Sequence, residues 1–157
     1  MVSEVNRQLA EDVRDSGRFM TLFMAEFDRQ NQRFAWLNAG HEPAVIYDPD
    51  TNKIDVLAGG GSLPLGVVED AGYPVHNQVI KPGQIIAIAT DGIFEAQDPR
   101  GKMFGRERFY DIIGRHASGT AAAIMNAVLE AVEDFRQGLP PQDDLTLVVI
   151  KIINPPR

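Results

Sequence analysis

Two aspartates lie where apolar strands are expected to end or begin. Asp91 directly follows the apolar run Gln84–Thr90, and Asp143 comes shortly before the apolar run that begins at Leu145. If these strands are antiparallel neighbours, the two carboxylates converge, and such close like charges repel each other and raise a pKa. A hard divalent cation removes the repulsion, and oxygen-only ligands suit Mg²⁺ or Mn²⁺. The spacing therefore suggests a cation site whose two carboxylates lie roughly 4–6 Å apart.

The same residues also have a purely structural interpretation. Asp91-Gly92 is a common turn sequence, and Asp143-Asp144 could be the solvated beginning of a strand. Short motifs carry a high risk of false positives. Spacing alone therefore favours the structural interpretation and leaves the cation site as the alternative.

A second polar group, Asn38-Ala39-Gly40-His41, follows the predicted strand that contains Trp36. In a functional interpretation it is a loop near the acidic site, in which His41 orients a ligand or donates a proton. In a structural interpretation, Gly40 supplies an unusual backbone angle and Asn38 bonds its own loop. Without further context, the structural interpretation is favoured.

Composition limits the classes of protein that these residues could serve. The chain has 157 residues, of which 44% are hydrophobic, and this suits one folded domain rather than a disordered chain. The absence of cysteine excludes disulfide scaffolds, zinc fingers and thiol nucleophiles. A net charge of −7 argues against nucleic-acid binding. No apolar run approaches the roughly 20 residues that span a bilayer, so we expect a cytoplasmic protein without membrane contact.

The apolar pattern predicts mainly strands in the first half of the chain. Phe19–Phe27 is apolar on both faces, so we expect a strand that is covered on both sides. Arg33–Ala39 is the return arm of a hairpin, and Pro43–Asp48 with Lys53–Leu57 forms a second hairpin. Consecutive strands joined by short turns predict a mainly antiparallel sheet. Three further strands are expected at Tyr73–Ile80, Gln84–Thr90 and Leu145–Ile153.

Helical periodicity predicts one helix at the start of the chain and two near its end. The first is Val2–Val13, and Arg106–Ile113 is a short second helix. Ser118 could cap a third helix, whose apolar stripe runs from Ile124 to Phe135. Strands, then helices, then a closing strand predict a layered α+β domain.

Six short motifs together resemble those of the bacterial PP2C-type (PPM) Ser/Thr phosphatases, in the branch similar to sporulation protein E and RsbU. They occur in the order found in that family, and the resemblance extends from about Asn6 to Ile152. Each motif alone is weak, but six in register are specific. The motifs are Phe19-Met20-Thr21, Asn38-Ala39-Gly40-His41, Pro64-Leu65-Gly66, Thr90-Asp91-Gly92 with Glu95, Phe104-Gly105 with Arg108, and Asp143-Asp144-Leu145-Thr146.

The resemblance implies a fold and a mechanism. The family fold is a central β-sandwich flanked by pairs of helices. Two Mn²⁺ or Mg²⁺ ions activate a water that attacks the phosphorus of phosphoserine or phosphothreonine directly. By this resemblance Asp91 and Asp143 are metal ligands and catalytic residues. The resemblance also implies supporting positions around them, namely Gly92, which permits close approach to the metal, the partner residue Asp144, and the site-shaping residues Asn38, Gly40, His41 and Thr146.

The chain also departs from the family pattern. Family members carry a Gly-Asp-x-x-Asp element and an Asp-x-x-Gly-His-Gly element upstream of the first helix, and nothing in Met1–Phe19 resembles either. We therefore expect residues 1–157 to be the C-terminal major part of an N-terminally truncated phosphatase domain, or a degenerate form that has lost its first strands. At most one side of the two-metal site would be present, and the chain would be inactive alone. Exposed sheet edges would favour a homodimer or exchange of elements.

Two functions follow from the resemblance. The first is dephosphorylation of a signalling protein in a sigma-factor pathway, such as an anti-sigma-factor antagonist, by the output domain that follows a receiver or sensor domain. The second is a catalytically inactive module that binds a sigma factor or its regulator. Aspartates in the two upstream elements of the natural protein would favour the enzyme, and their absence would favour the binding module.

Overall fold

The computed structural model describes residues 1–28 and 30–153. These residues form an α+β fold with four α-helices, one short 3₁₀ helix and two antiparallel sheets, so the predicted fold class is confirmed. The helices are α1 (Val2–Val13), α2 (Asp91–Glu95), α3 (Arg106–Arg115) and α4 (Ala121–Arg136), with the 3₁₀ helix at Gly59–Gly61. The strands are β1 (Leu22–Asp28), β2 (Arg33–Ala39), β3 (Ala44–Asp48), β4 (Lys53–Leu57), β5 (His76–Val79), β6 (Ile85–Ala89) and β7 (Leu147–Lys151).

The chain divides into two compact units. The first contains Met1–Pro43 and Leu57–Ile80, and the second contains Ala44–Val56 and the chain from Lys81 onward. In the first unit β2 is the central strand of the order β1-β2-β5. In the second unit the order is β4-β3-β6-β7.

The prediction that Phe19–Phe27 is covered on both sides is wrong. The strand begins at Leu22, and Phe19 is 61% exposed, Met24 38% and Phe27 41%. Within the described residues β1 is an edge strand that pairs only with β2, from Leu22 opposite Ala39 to Asp28 opposite Arg33. Apolar residues on both faces therefore do not establish that both faces are covered.

A buried asparagine attaches α1 to the loop that precedes β5. Asn6 is fully buried, and its Nδ2 donates to the carbonyl oxygens of Val68 and Glu69, both at 2.8 Å. Its Oδ1 accepts from the Gly66 N–H at 3.0 Å and from the Tyr73 hydroxyl at 2.9 Å. All four hydrogen-bonding positions of the amide are filled, as burial of such a polar group requires.

The sheet of the second unit has one face packed against α3 and α4. Val45, Ala87 and Val149 lie opposite one another on three neighbouring strands and belong to the same apolar core. Helix α4 contributes Ile124, Val128 and Val132, which confirms this part of the predicted stripe as core. Leu129 lies within the same predicted stripe but is 36% exposed, so the prediction is wrong for that residue. The fully buried members of this core are Ile85, Ile93, Phe104, Phe109, Ile113, Ile124, Val128 and Val132.

Two details of the prediction for this unit are corrected. The predicted strand Leu145–Ile153 is the shorter β7, and its part Leu145–Val149, which we expect to be buried, includes the exposed Val148. Ile150 is exposed as well, because β7 is the outermost strand of its sheet. Helix α4 is capped by Thr120 rather than Ser118, since the Thr120 side chain accepts the Ala123 N–H at 3.1 Å. A threonine oxygen at this position satisfies one of the free amides of the first turn.

The β3–β4 hairpin is joined to β6 by a polar contact. The Gln84 side chain donates to Asp48 at 2.9 Å and accepts the Lys81 N–H at 2.8 Å. Asp48 also accepts the N–H of Asp50 within the turn. The amide of Gln84, followed by the turn amides, lowers the pKa of Asp48 below its usual value.

Among the residues that the structure describes, no helix is both long and apolar enough to cross a membrane.

Helix α4 offers a direct test of the core. Val128→Asp places an unpaired charge in a fully buried position, and we expect it to lower the free energy of unfolding by about 4 kcal/mol. The matched control is Leu129→Asp, one residue along the same helix and 36% exposed, which should cost about 1 kcal/mol or less. Urea titration measures both. Equal losses for the two variants would contradict the packing described for this helix.

Candidate metal centre

The antiparallel pairing of β6 and β7 brings together the segments that carry the two aspartates. The last register pair is Ala89 opposite Leu147. Beyond it, the Thr90 N–H donates to the Thr146 carbonyl at 3.1 Å. The residues that follow β6 and those that precede β7 are therefore backbone neighbours, as the sequence argument required.

The side chain of Thr90 ties the two segments more closely. Its hydroxyl donates to the carbonyl oxygen of Asp144 at 3.0 Å and accepts the N–H of Thr146 at 3.0 Å. The Thr90 hydroxyl thus acts as donor and as acceptor at once, and both hydrogen bonds connect the end of β6 to the segment that precedes β7. This residue was not singled out as a site residue from sequence, although it directly precedes the Asp-Gly pair.

Gly92 lies against the backbone of the opposite segment. A Cβ atom at this position would be 2.5 Å from the Asp144 carbonyl oxygen and 3.5 Å from that of Asp143. The first of these distances is far below van der Waals contact, and the obstructing atom belongs to the backbone, so it cannot swing aside. Only glycine allows α2 to begin this close to the Asp143-Asp144 segment.

Asp91 is the first residue of α2, not part of a simple turn as the structural interpretation supposed. Its Oδ1 accepts the Gly92 N–H at 3.0 Å, and the Oδ1 of Asp143 accepts the Asp144 N–H at 2.7 Å. Both side chains are exposed. The second carboxylate oxygen of each has no hydrogen-bond partner among the residues that the structure describes.

This donor set fits a hard cation. Two carboxylates with free oxygens, carried on adjacent backbone segments, match the ligand preference of Mg²⁺ and Mn²⁺. Within residues 1–28 and 30–153, no group of three or more His, Cys, Asp or Glu side chains is arranged to hold a metal. Binding of a cation by Asp91 and Asp143 therefore stays a prediction, as does the separation of roughly 4–6 Å between their carboxylates.

The Asn38–His41 segment forms a closed turn in the first unit. The Asn38 Nδ2 donates to the His41 carbonyl at 2.9 Å, and its Oδ1 accepts the His41 N–H at 2.8 Å. Gly40 has a φ of +71°, and a Cβ there would be 2.5 Å from Cγ of Pro64. These are the features of the structural interpretation. A role for Asn38, Gly40 or His41 in shaping the site stays a prediction.

Comparisons with known proteins agree with the fold. A family model described as "Stage II sporulation protein E (SpoIIE)" matches residues 1–153. The chain is 27% identical over 154 residues to "Phosphoserine phosphatase RsbU" of Bacillus subtilis (strain 168), covering 96% of this chain and 44% of that protein. The chain thus spans less than half the length of this curated relative.

Two solved structures resemble the chain at lower identity. The "SiaA-PP2C domain of Pseudomonas aeruginosa" aligns with a TM-score of 0.81 at 20% identity, covering 95% of this chain and 58% of that one. The phosphatase domain of "the Cell Fate Determinant SpoIIE from Bacillus subtilis (Mn presoaked)" aligns with a TM-score of 0.61 at 21% identity, covering 97% and 76%. At these identities the likeness establishes a shared fold.

The Thr90 hydroxyl provides a test of how the strand ends are held. Thr90→Val keeps the shape of the side chain but removes both hydrogen bonds, so we expect a loss of about 1–2 kcal/mol in the free energy of unfolding. We also expect about tenfold weaker Mn²⁺ binding, the scale on which removal of outer-shell contacts acts. Thr90→Ser keeps the hydroxyl and should retain both properties.

Urea titration gives the stability of these variants, and Mn²⁺-induced broadening of the Gly92 and Asp144 amide resonances gives the cation affinity. Broadening that is centred elsewhere on the chain would place the cation away from Asp91 and Asp143. Equal behaviour of the valine and serine variants would show that the hydroxyl does not hold the segments together.

Proposed function

Because the chain belongs to the Stage II sporulation protein E (SpoIIE) family, we propose that it is part of a metal-dependent protein phosphatase domain acting on phosphoserine or phosphothreonine. The observation that carries this proposal is the adjacency of the Asp91 and Asp143 segments at the ends of two paired strands. The activity printed for the relative, "Phosphoserine phosphatase RsbU", supports the same reaction class.

In the proposed reaction, Asp91 and Asp143 would hold a Mn²⁺ or Mg²⁺ ion. The ion, when bound, supplies a nucleophilic water at neutral pH and stabilises charge on the phosphoryl oxygens. Gly92 keeps the two segments close, and Thr90 fixes their spacing through the Asp144 carbonyl and the Thr146 N–H. Asp144 orients its neighbour, since its own N–H donates to Asp143.

The remaining ligands of a two-metal site are proposed to come from Gly-Asp-x-x-Asp and Asp-x-x-Gly-His-Gly elements upstream in the natural polypeptide. Residues 1–157 would then be the C-terminal major part of the domain. The proposed substrate is a phosphorylated regulator in a bacterial sigma-factor pathway, such as an anti-sigma-factor antagonist. We propose a cytoplasmic setting in which a receiver or sensor domain controls the phosphatase.

The proposal predicts how activity divides between the chain and a longer polypeptide. Residues 1–157 alone should show little or no Mn²⁺-dependent hydrolysis of a phosphopeptide or an aryl phosphate, because a loosely held single ion cannot both activate water and stabilise the leaving group. A longer polypeptide with the upstream aspartates should recover turnover. Asp91→Asn or Asp143→Asn in that polypeptide should lower kcat/KM at least about a hundredfold, since each removes a direct ligand.

A suitable control is Asp111→Asn, because Asp111 is exposed and, within the described part of the chain, its ion pair is with Arg115 on α3. That variant should keep the activity of the longer polypeptide. Robust Mn²⁺-stimulated turnover by residues 1–157 that survives Asp91→Asn would show that the site is placed wrongly. A longer polypeptide that has the upstream aspartates but lacks turnover would favour a binding module instead.

A further inference from the structure

A pocket in the second unit borders the candidate metal centre. It lies between the C-terminal end of α2 and the segment that joins α4 to β7, and both Gly92 and Asp143 line it. Its volume is about 240 Å³. Small-molecule sites usually enclose roughly 300–1,000 Å³, so this pocket suits a single side chain of a larger ligand.

The walls of the pocket differ in chemistry. Leu139, Pro140, Pro141 and Leu145 provide an apolar wall, and the two prolines stiffen it because their φ angles are fixed. Polar residues, including Glu95 and Asp143, line the rest of it. An occupant that suits both walls has a long apolar stem and a polar tip, as lysine and arginine do.

Arg136, the cationic residue among the described residues that line the pocket, already has hydrogen-bond and ion-pair partners within the chain. Arg136 is 8% exposed. Its Nε donates a hydrogen bond to the Leu139 carbonyl oxygen at 2.8 Å, and its Nη2 donates to the same oxygen. Its Nη1 pairs with Glu133 at 3.0 Å. The guanidinium therefore closes the end of α4, and its charge is balanced by Glu133 rather than presented to an anionic ligand.

The carboxylates of the pocket are not balanced in this way. Neither Glu95 nor Asp143 forms an ion pair within the part of the chain that the structure describes. When Asp143 holds a cation, the charge of Glu95 still remains. The pocket is thus electrostatically complementary to a cationic side chain and repels an acidic one.

We propose that this pocket is a specificity subsite for a lysine or arginine of the phosphoprotein substrate, within a few residues of the phosphoserine or phosphothreonine. The inference rests on the proposed function, because Asp143 would then lie at the reacting phosphate and it also lines the pocket. An extended peptide advances about 3.3 Å per residue, so a neighbouring side chain reaches the pocket while the phosphorylated residue occupies the metal centre.

Peptide binding to the whole chain tests the subsite without requiring hydrolysis. Fluorescein-labelled phosphoserine peptides carry a single lysine at one of the three positions on either side of the phosphoserine, and matched phosphopeptides carry glutamate there. Fluorescence anisotropy in the presence of Mn²⁺ measures Kd. We expect one lysine position to bind more tightly than its glutamate counterpart, with a preference that falls as salt is added.

Variants of Glu95 should change this preference selectively. Glu95 is exposed, so its replacement should not disturb folding. Glu95→Gln should lower the lysine preference about two- to fivefold, the range measured for solvent-accessible ion pairs, and Glu95→Lys should reverse it. The matched control is Glu130→Lys, which makes the same charge change at an exposed position of α4 outside the pocket lining.

The outcomes separate the two proposals. Absence of any lysine preference in the wild-type chain, or a preference that survives Glu95→Lys, overturns the subsite. If the longer polypeptide hydrolyses aryl phosphate but shows no lysine preference, the phosphatase stands and the subsite falls. If lysine peptides bind through Glu95 but no polypeptide hydrolyses phosphate, the proposed function falls while the pocket remains a site for cationic side chains.

Discussion

The candidate site depends on the register between β6 and β7. Ala89 lies opposite Leu147, and this pairing sets which residues leave the sheet together. A shift of one residue would move every side chain of β7 to the other face, taking Val149 out of the core that α4 covers. Apolar packing on that face therefore holds the register, and the register in turn holds Asp91 beside the Asp143-Asp144 segment.

Sequence patterns predicted most of the elements but not their surroundings. The short apolar run Gln84–Thr90 predicts a strand, and β6 forms there, paired on both sides. Phe19–Phe27 has an equally apolar pattern, yet β1 lies at an edge and exposes Phe27. Periodicity indicates which side chains are apolar and which face they share. The order of strands in a sheet depends on pairing between residues far apart in sequence, and a local pattern does not contain that information.

Like the strands, the residues of the candidate site could be predicted from sequence only where local sequence identifies them. Asp91 and Asp143 could be found because each lies next to an apolar strand, but Thr90 looked like the last residue of a strand and Asn6 like a polar position on an amphipathic helix. Both act through side-chain bonds to backbone that is distant in sequence, 54 residues away for Thr90 and 62 for Asn6. Only the folded chain reveals such partners. The Asn38–His41 turn was predictable because its bonds are local.

In the proposed site, the two aspartates would each have one carboxylate oxygen held in place before a cation binds. Each accepts the N–H of the next residue, so one carboxylate oxygen is held by backbone and the other remains available. Ordering ligands in advance lowers the entropy lost when an ion binds. Gly92 and Thr90 are essential to this arrangement because the first removes a clash with the Asp144 carbonyl and the second bonds to the same carbonyl. Contacts with one backbone oxygen thus set the distance between the two acidic segments.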